Sequence, residues 1–280
     1  MPRITNNFEG IQIDIISFDR VAQIYDDTRW VPNSIIEKMW NYINENCSLT
    51  EKSRILDLGI GTGRLSLPLI RKQKISIIGL DISEEMLKKA RENLNSYTKL
   101  PGTASFIHGD ARYLPFRSQS FDLIICVHIL HLIKDWKAVI VEGDRCLIPG
   151  KKQLVQGSVH VSWYKTVPFQ IYWESLTSQG YARKRSRWTW YQEGEDFLKQ
   201  LGYSIQKFSY QEKIEVSPVK AFSMLEERVF SSQWRVPEEQ HLQAINKVWG
   251  WMQDHKNVDI IDTSLELEIQ LFKNLTEFSD

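Results

Sequence analysis

The stretch ILDLGIGTG (residues 55–63) constrains this chain more than any other: an apolar run passes through Asp57 and opens onto glycines at Gly59, Gly61 and Gly63. Glycines at a strand-to-helix turn permit positive φ and let a ligand lie directly against the peptide backbone. In an open parallel sheet, ligands bind beyond the carboxyl ends of the strands, which is where such a turn sits. The surroundings fit that setting. Short apolar runs at 54–58, 76–81, 104–108, 121–127 and 153–159 alternate with helix-like stretches at 64–71, 83–96 and 135–146. This is the rhythm of parallel strands joined by crossover helices. Ser83 is placed to cap the second helix, with Glu84 and Glu85 in its first turn, and Pro149-Gly150 stops the third.

Two acids follow the glycine turn at corresponding places. Asp81 closes the second strand, where a carboxylate can accept hydrogen bonds from the vicinal hydroxyls of a ribose. Asp110, in HGDARYLPF after the third strand, can accept from an adenine amino group. Either acid alone reads equally well as a helix cap or turn residue; three acids at the ends of three consecutive strands do not. A dinucleotide fingerprint requires G-x-G-x-x-G, and Arg64 or Ser66 occupies the last position in the two registers available. No Gly-Lys-Ser/Thr follows the glycines, so a Walker loop is absent as well.

With ILDLGIGTGRLSLPL, IIGLDISEEMLKKAR, GDARYLPF and SFDLIICVHILHLIKDW in this order, the chain resembles the class I S-adenosylmethionine-dependent methyltransferases, in their small-molecule branch. The resemblance is clear over residues 53–154, looser over 18–40 and 188–210, and hardly present over 217–280. It implies an α/β fold with a Rossmann-like, seven-stranded, mostly parallel sheet, helices on both faces and an antiparallel last strand. It implies S-adenosylmethionine as cofactor, with S-adenosylhomocysteine as product. Asp57 and Gly59, Ile60, Gly61 and Gly63 would then face the methionine moiety, and Asp81 the ribose. Ile82 and Met86 would flank the adenine, with Asp110, Ala111 and Arg112 along its edge. Tyr25 and Arg29, in YDDTRW, resemble an N-terminal helix that closes over the cofactor, where Arg29 can pair with the methionine carboxylate. Val127 and His128 would meet both cofactor and acceptor.

The second half differs in character. Seven of the ten tryptophans lie beyond residue 160, and residues 163–191 hold nine aromatics and the basic run RKRSRW (183–188) without a long periodic strand. This segment reads as an inserted helical, aromatic cap, with Trp163, Trp173 and Trp190 as candidate walls of an acceptor pocket. Simple core filling is the competing explanation for those rings. A short helix at 196–201 capped by Gly202, a strand at 204–216, helices opening at Ser217-Pro218 and Pro237-Glu238, and a final strand at 264–272 complete the reading. The expected organisation is a helical lid at 1–50, a cofactor-binding core at 51–160, the cap at 161–195, and a segment at 196–280 that finishes the sheet and adds acceptor-side helices.

A methyl on a sulfonium is already activated, so such an enzyme chiefly aligns a nucleophile and excludes water. A hydroxyl acceptor also needs a base, for which His128 and His131 are the candidates. Their HxxH spacing lacks the third ligand of a metal site, and no metal is expected. Two other functions remain open: an RNA-modifying enzyme that uses the Arg183 to Arg187 patch, and a cofactor-binding protein without transfer. Against nucleic acid stands the equality of 35 basic and 35 acidic residues, which removes a strong global field. The expected partner is a small-molecule acceptor.

The longest apolar run, 121–133, contains Asp122, His128 and His131 and is shorter than the ~18 residues of a membrane span. Acids scattered among the first thirty residues are unlike a secretory signal, and three cysteines without CxxC spacing point to reduced, buried thiols. The expected compartment is the cytoplasm.

Overall fold

The structure is a computed structural model, which describes residues 17–274 apart from 48, 98 and 182–186, and apart from the side chains of 187–191. After a 3-10 turn at Asp19–Ile24 the chain forms α1 (Tyr25–Thr28), α2 (Asn33–Asn46), β1 (Arg54–Leu58), α3 (Leu67–Ile70), β2 (Ser76–Asp81) and α4 (Glu84–Asn95). There follow β3 (Thr103–His108), β4 (Leu123–Val127), α5 (Trp136–Cys146), β5 (Lys152–Val161), α6 (Val167–Ser178) and α7 (Arg187–Gln200). The last elements are β6 (Ser204–Val216), α8 (Pro218–Glu226), α9 (Glu238–Asp254) and β7 (Ile261–Asn274). The sheet order is β3-β2-β1-β4-β5-β7-β6. β1 to β5 pair in parallel, while β7 runs antiparallel to both its neighbours, as the sequence led one to expect.

Helices cover both faces of the central strands, and β4 is accordingly buried along its whole length. On one face Ile55, Ile77, Ile125 and Val155 pack with Ile35, Met39 and Ile43 of α2. On the other, Leu56, Leu58 and Ile124 pack with Val139 and Ile140 of α5 and Leu198 of α7. The reversal of strand order between β1 and β4 opens the sheet at its carboxyl edge, and the crevice lies there.

Two expected helices are altered. The stretch 64–71 holds only the single turn of α3, because the positive-φ glycines keep the backbone in turns up to Ser66 and Pro68 supplies no amide to a longer ladder. The helix expected at 196–201 instead begins at Arg187. Trp188, Thr189, Trp190 and Tyr191 are weak helix formers and Gly194 weaker still, so that local preference does not mark these first turns. Phe197 meets Trp136 of α5 edge-on at 5.7 Å, which assigns α7 to the layer over the sheet.

A third apolar cluster forms the cap. Phe169, Tyr172 and Leu176 of α6, from the connection between β5 and β6, pack with Ala221, Met224 and Leu225 of α8 and Ala244, Ile245 and Val248 of α9, from the connection between β6 and β7. The cap therefore draws on two stretches separated by α7 and β6. Within it Tyr172 Oη pairs with His241 Nδ1 at 2.8 Å, and the buried Arg228 guanidinium reaches Glu238 at 2.7 Å.

Candidate functional site

A cavity of about 1530 Å³ runs from the carboxyl ends of β1 and β2 to the underside of the cap. At its inner end the glycine turn is pinned to β2: Gly59 N–H donates to the Leu80 carbonyl at 2.7 Å, and Gly61 N–H donates to Asp81 Oδ2 at 2.8 Å. Gly61 has φ +57°, and a Cβ placed on it would meet only open space, so the turn bares its backbone to the cavity. Gly63, by contrast, is a packing glycine outside the lining, where a Cβ would strike Leu67 at 2.6 Å.

The acids sit as their strands dictate. Asp81 Oδ1 accepts from Ser83 N–H at 2.9 Å, so that the carboxylate is fixed by two backbone amides while still lining the cavity. Burial raises its proton affinity and the two amides counter the effect. Asp57 lies behind the turn, where burial pushes its carboxyl up to about 7, helped by nearby Asp81 and opposed by a hydrogen bond from Ser66. Asp110 is bound bidentately by Arg112, whose Nε lies 3.0 and 3.1 Å from its two oxygens. Both residues line the cavity, with Ile82, Met86 and Ala111 beside them.

The N-terminal segment closes over this end. Asp19 accepts from Ser83 Oγ and from Glu85 N–H at the start of α4, and Asp26 accepts from Thr62 Oγ1 of the glycine turn and from Asn93 Nδ2. Tyr25 and Arg29 both reach the cavity. The Arg29 guanidinium stands 4.0 Å over the Phe230 ring and donates to the Val229 carbonyl at 3.1 Å. Burial lowers it to about 10, and the like charge of Arg64 adds to the effect. Arg64 Nη1 is buried without a hydrogen-bond partner among the described residues.

Toward the cap, Val127, His128, His131, Trp163 and Trp173 line the same cavity. His128 has φ +64°, a strained conformation for a residue with a Cβ. Its Nε2 lies against the backbone of β5, 2.9 Å from Val159 N and 2.8 Å from Val159 O. His131 is exposed, on the 3-10 turn at Leu130–Leu132. Trp163 is buried and stacked on Phe169 at 6.0 Å, and Trp173 meets Tyr172 edge-on at 5.4 Å. The side chain of Trp190 and the basic run at 183–186 lie outside the described residues. Every other expected site residue except Gly63 borders the one cavity.

Sequence reasoning missed Arg64, the lid acids Asp19 and Asp26, and a pair on β5 and β7, His160 and Glu266. Arg64 adjoins the glycine run and was legible as a cation beside it. The others owe their places to contacts between segments far apart in the chain.

The profile of the methyltransferase-domain family matches residues 55–150. A demethylmenaquinone methyltransferase of Tropheryma whipplei is 29% identical over 156 residues, covering 55% of this chain and 63% of that protein. A demethylmenaquinone methyltransferase of Thermotoga maritima is 30% identical over 166 residues, 54% of this chain and 69% of that protein. In fold the chain is similar to a putative methyltransferase from an antibiotic biosynthesis pathway of Anabaena variabilis, with a TM-score of 0.56 at 14% identity over 89% of this chain and 99% of that one. The chain thus spans less than two thirds of the Tropheryma relative's length. It belongs to the class I S-adenosylmethionine-dependent methyltransferases. The site suits their cofactor: the bared backbone at Gly61, the carboxylate of Asp81 and the orphaned guanidinium of Arg64 match a ligand with a ribose and a free carboxylate.

Proposed function

We propose that this protein transfers a methyl group from S-adenosylmethionine to a small, largely apolar acceptor held beneath the cap. The observation that carries the reading is the continuity of one cavity from the glycine turn and Asp81 to the aromatic underside of α6. The cofactor supplies a methyl activated by its sulfonium charge, so no further activation of the donor is asked of the protein.

The chain's own residues bind, orient and exclude water. Asp81, with both oxygens pinned by amides, presents its remaining lone pairs to the ribose hydroxyls. Arg29 and Arg64 would hold the methionine carboxylate, which satisfies the free Nη1 and offsets the repulsion between two neighbouring cations. Ile82, Met86 and Ala111 supply apolar surface for the adenine, and Asp110, steadied by Arg112, faces its amino edge. Val127 and His128 stand where the two halves of the cavity meet, and Trp163 and Trp173 wall the acceptor side.

The relatives named as demethylmenaquinone methyltransferases make a hydroxylated aromatic ring the first acceptor class to try. Among the described residues no helix is long and apolar enough to cross a membrane, and the proposed setting is the cytoplasm. Titration calorimetry with S-adenosylhomocysteine, followed by incubation with methyl-labelled cofactor and acceptor pools that include reduced demethylmenaquinone, tests the proposal. One-to-one binding and label in a small molecule are expected. Label in RNA, or tight binding with label transferred to nothing, would overturn it in favour of the RNA-modifying or the non-transferring reading.

A further inference from the structure

We propose that His160, paired with Glu266, is the base that takes a proton from the acceptor, and that the acceptor is therefore a phenol or enol. This rests on the methyl-transfer reading above. β5 and β7 pair antiparallel with His160 directly opposite Glu266, so both side chains project from the same face of the sheet. His160 Nε2 lies 3.6 Å from Glu266 Oε2, and both residues line the cavity. Glu266 is itself held from behind: Lys165 Nζ and Ser264 Oγ both bond Oε1, the latter at 3.0 Å. Burial alone would raise its carboxyl, but the bonds from Lys165 and Ser264 and the neighbouring His160 outweigh that and hold it below the usual glutamate range. A carboxylate within ion-pair range of one ring nitrogen offers a counter-charge to the imidazolium that forms when the ring takes up a proton.

Its place in the cavity fits the task. The His160 and His128 rings are 6.4 Å apart, and His128 follows β4 beside the glycine turn, so His160 stands on the acceptor side of the junction between the two halves. Trp163 and Tyr164 follow three and four residues further on, at the entrance to the cap. His128 has its Nε2 engaged on the β5 backbone, which suits it to holding β4 and β5 in register rather than to moving protons. Among the described residues, the groups that bear on the His160 charge include Glu266 opposite it, Lys165 behind Glu266 and His128 at the end of β4; on β6 the residue across from Glu266 is the neutral Gln211.

In the proposed step the acceptor's O–H bond breaks, its electron pair stays on oxygen, and the proton is held on the His160 ring until it passes to water at the cavity mouth. Acceptors with no ionisable proton, such as tertiary amines and thioethers, make no use of this pair.

The test uses the full-length protein with 4-nitrophenol as probe, whose phenolate absorbs in the visible, in the presence of S-adenosylhomocysteine. Bound probe is expected to ionise at lower pH than free probe. In Glu266→Gln, a substitution of nearly equal shape, the ionisation of bound probe should move up by about one pH unit, a tenfold change in the equilibrium. His160→Gln and His160→Asn should abolish the difference between bound and free probe, with thermal midpoints and S-adenosylhomocysteine affinity kept. Probe that fails to bind the parent, or that ionises identically in parent and variants, would overturn the assignment. Failure of the parent to bind S-adenosylhomocysteine in the same calorimeter would instead overturn the methyl-transfer reading beneath it.

Discussion

The two ends of the cavity are built on different principles. At the proposed cofactor end, the lining is mostly the backbone of the glycine turn and acids at strand ends, from β1 to the loop after β3, joined by Arg29 of the N-terminal segment, and Asp81 is fixed by amides of the turn and of its own loop. At the proposed acceptor end, the lining is made of side chains from α6, β5 and β7 that meet only through the fold, as the opposition of His160 and Glu266 across more than one hundred residues shows. A site made of backbone tolerates change everywhere except at its few glycines and acids. A site made of side chains on separate segments can be rebuilt by substituting any of its walls, so substrate preference in such a fold belongs there.

The sharpest way to break that comparison is through Asp57. Burial raises its carboxyl to about 7 from an ordinary value of 3.8. Between those values the folded protein keeps a proton that the unfolded chain has released. Stability therefore falls as pH rises across that window and levels off above it. Asp57→Asn should remove this slope and stabilise the ligand-free protein near pH 8 by on the order of 2 to 4 kcal/mol. Chemical denaturation at pH 5 and pH 8 checks it, and equal slopes in parent and variant would mean that Asp57 is solvated despite its position.

Asp81→Ala is expected to weaken S-adenosylhomocysteine by about 1.5–3 kcal/mol, roughly ten- to a hundredfold in dissociation constant, because hydrogen bonds to a charged group are lost. Calorimetry reads it, with circular dichroism to confirm the fold. An unchanged constant would take Asp81 out of the site and leave the glycine turn without its main polar partner. Arg64→Met should cost less, about 1 kcal/mol in the same titration, since Arg29 remains to hold the carboxylate. Its stability should rise slightly, because an unpaired buried donor and a like-charge neighbour disappear together. A loss of stability with unchanged affinity would show that Arg64 serves packing against Tyr25 instead, whose ring lies 5.8 Å away.

What could be read from the chain alone divides along the same line. β1 and β2 were legible to the residue, as was the Ser83 cap, whose side chain accepts from Met86 N–H, because these depend on neighbours in sequence. β5 reaches Val161, beyond its expected end at 159, because β7 pairs with it over ten residues and carries it past the local apolar run; His160 was hidden in that extension. Glu266 looked like an ordinary polar position in an alternating strand, and only the register of β5 against β7 sets it before a histidine. α7 was read short because its first turns, with Trp188, Thr189, Trp190 and Tyr191, are made of weak helix formers. The stretch 163–191 runs from a 3-10 turn through α6 of the cap into the start of α7, a division that no feature of composition marks.

The smallest expected effect on the cofactor is also the finest test of the comparison. Trp173 lies on α6, partly buried, with one edge against Tyr172 and part of its surface on the cavity. It belongs to the cap and not to the elements that hold Gly61, Asp81 or Arg64, so Trp173→Ala should change the S-adenosylhomocysteine dissociation constant by less than about twofold, inside the few tenths of a kcal/mol within which distant sites act independently. Removing the ring exposes the acceptor space to water and takes away apolar contact, so the Michaelis constant for an aromatic acceptor should rise about five- to thirtyfold, equivalent to roughly 1–2 kcal/mol of lost burial. Trp173→Phe keeps most of that surface and should recover most of the loss. If the alanine variant instead weakened the cofactor as strongly as Asp81→Ala, with the fold intact, the two ends would be energetically coupled, and the cap would have to be counted as part of the cofactor site.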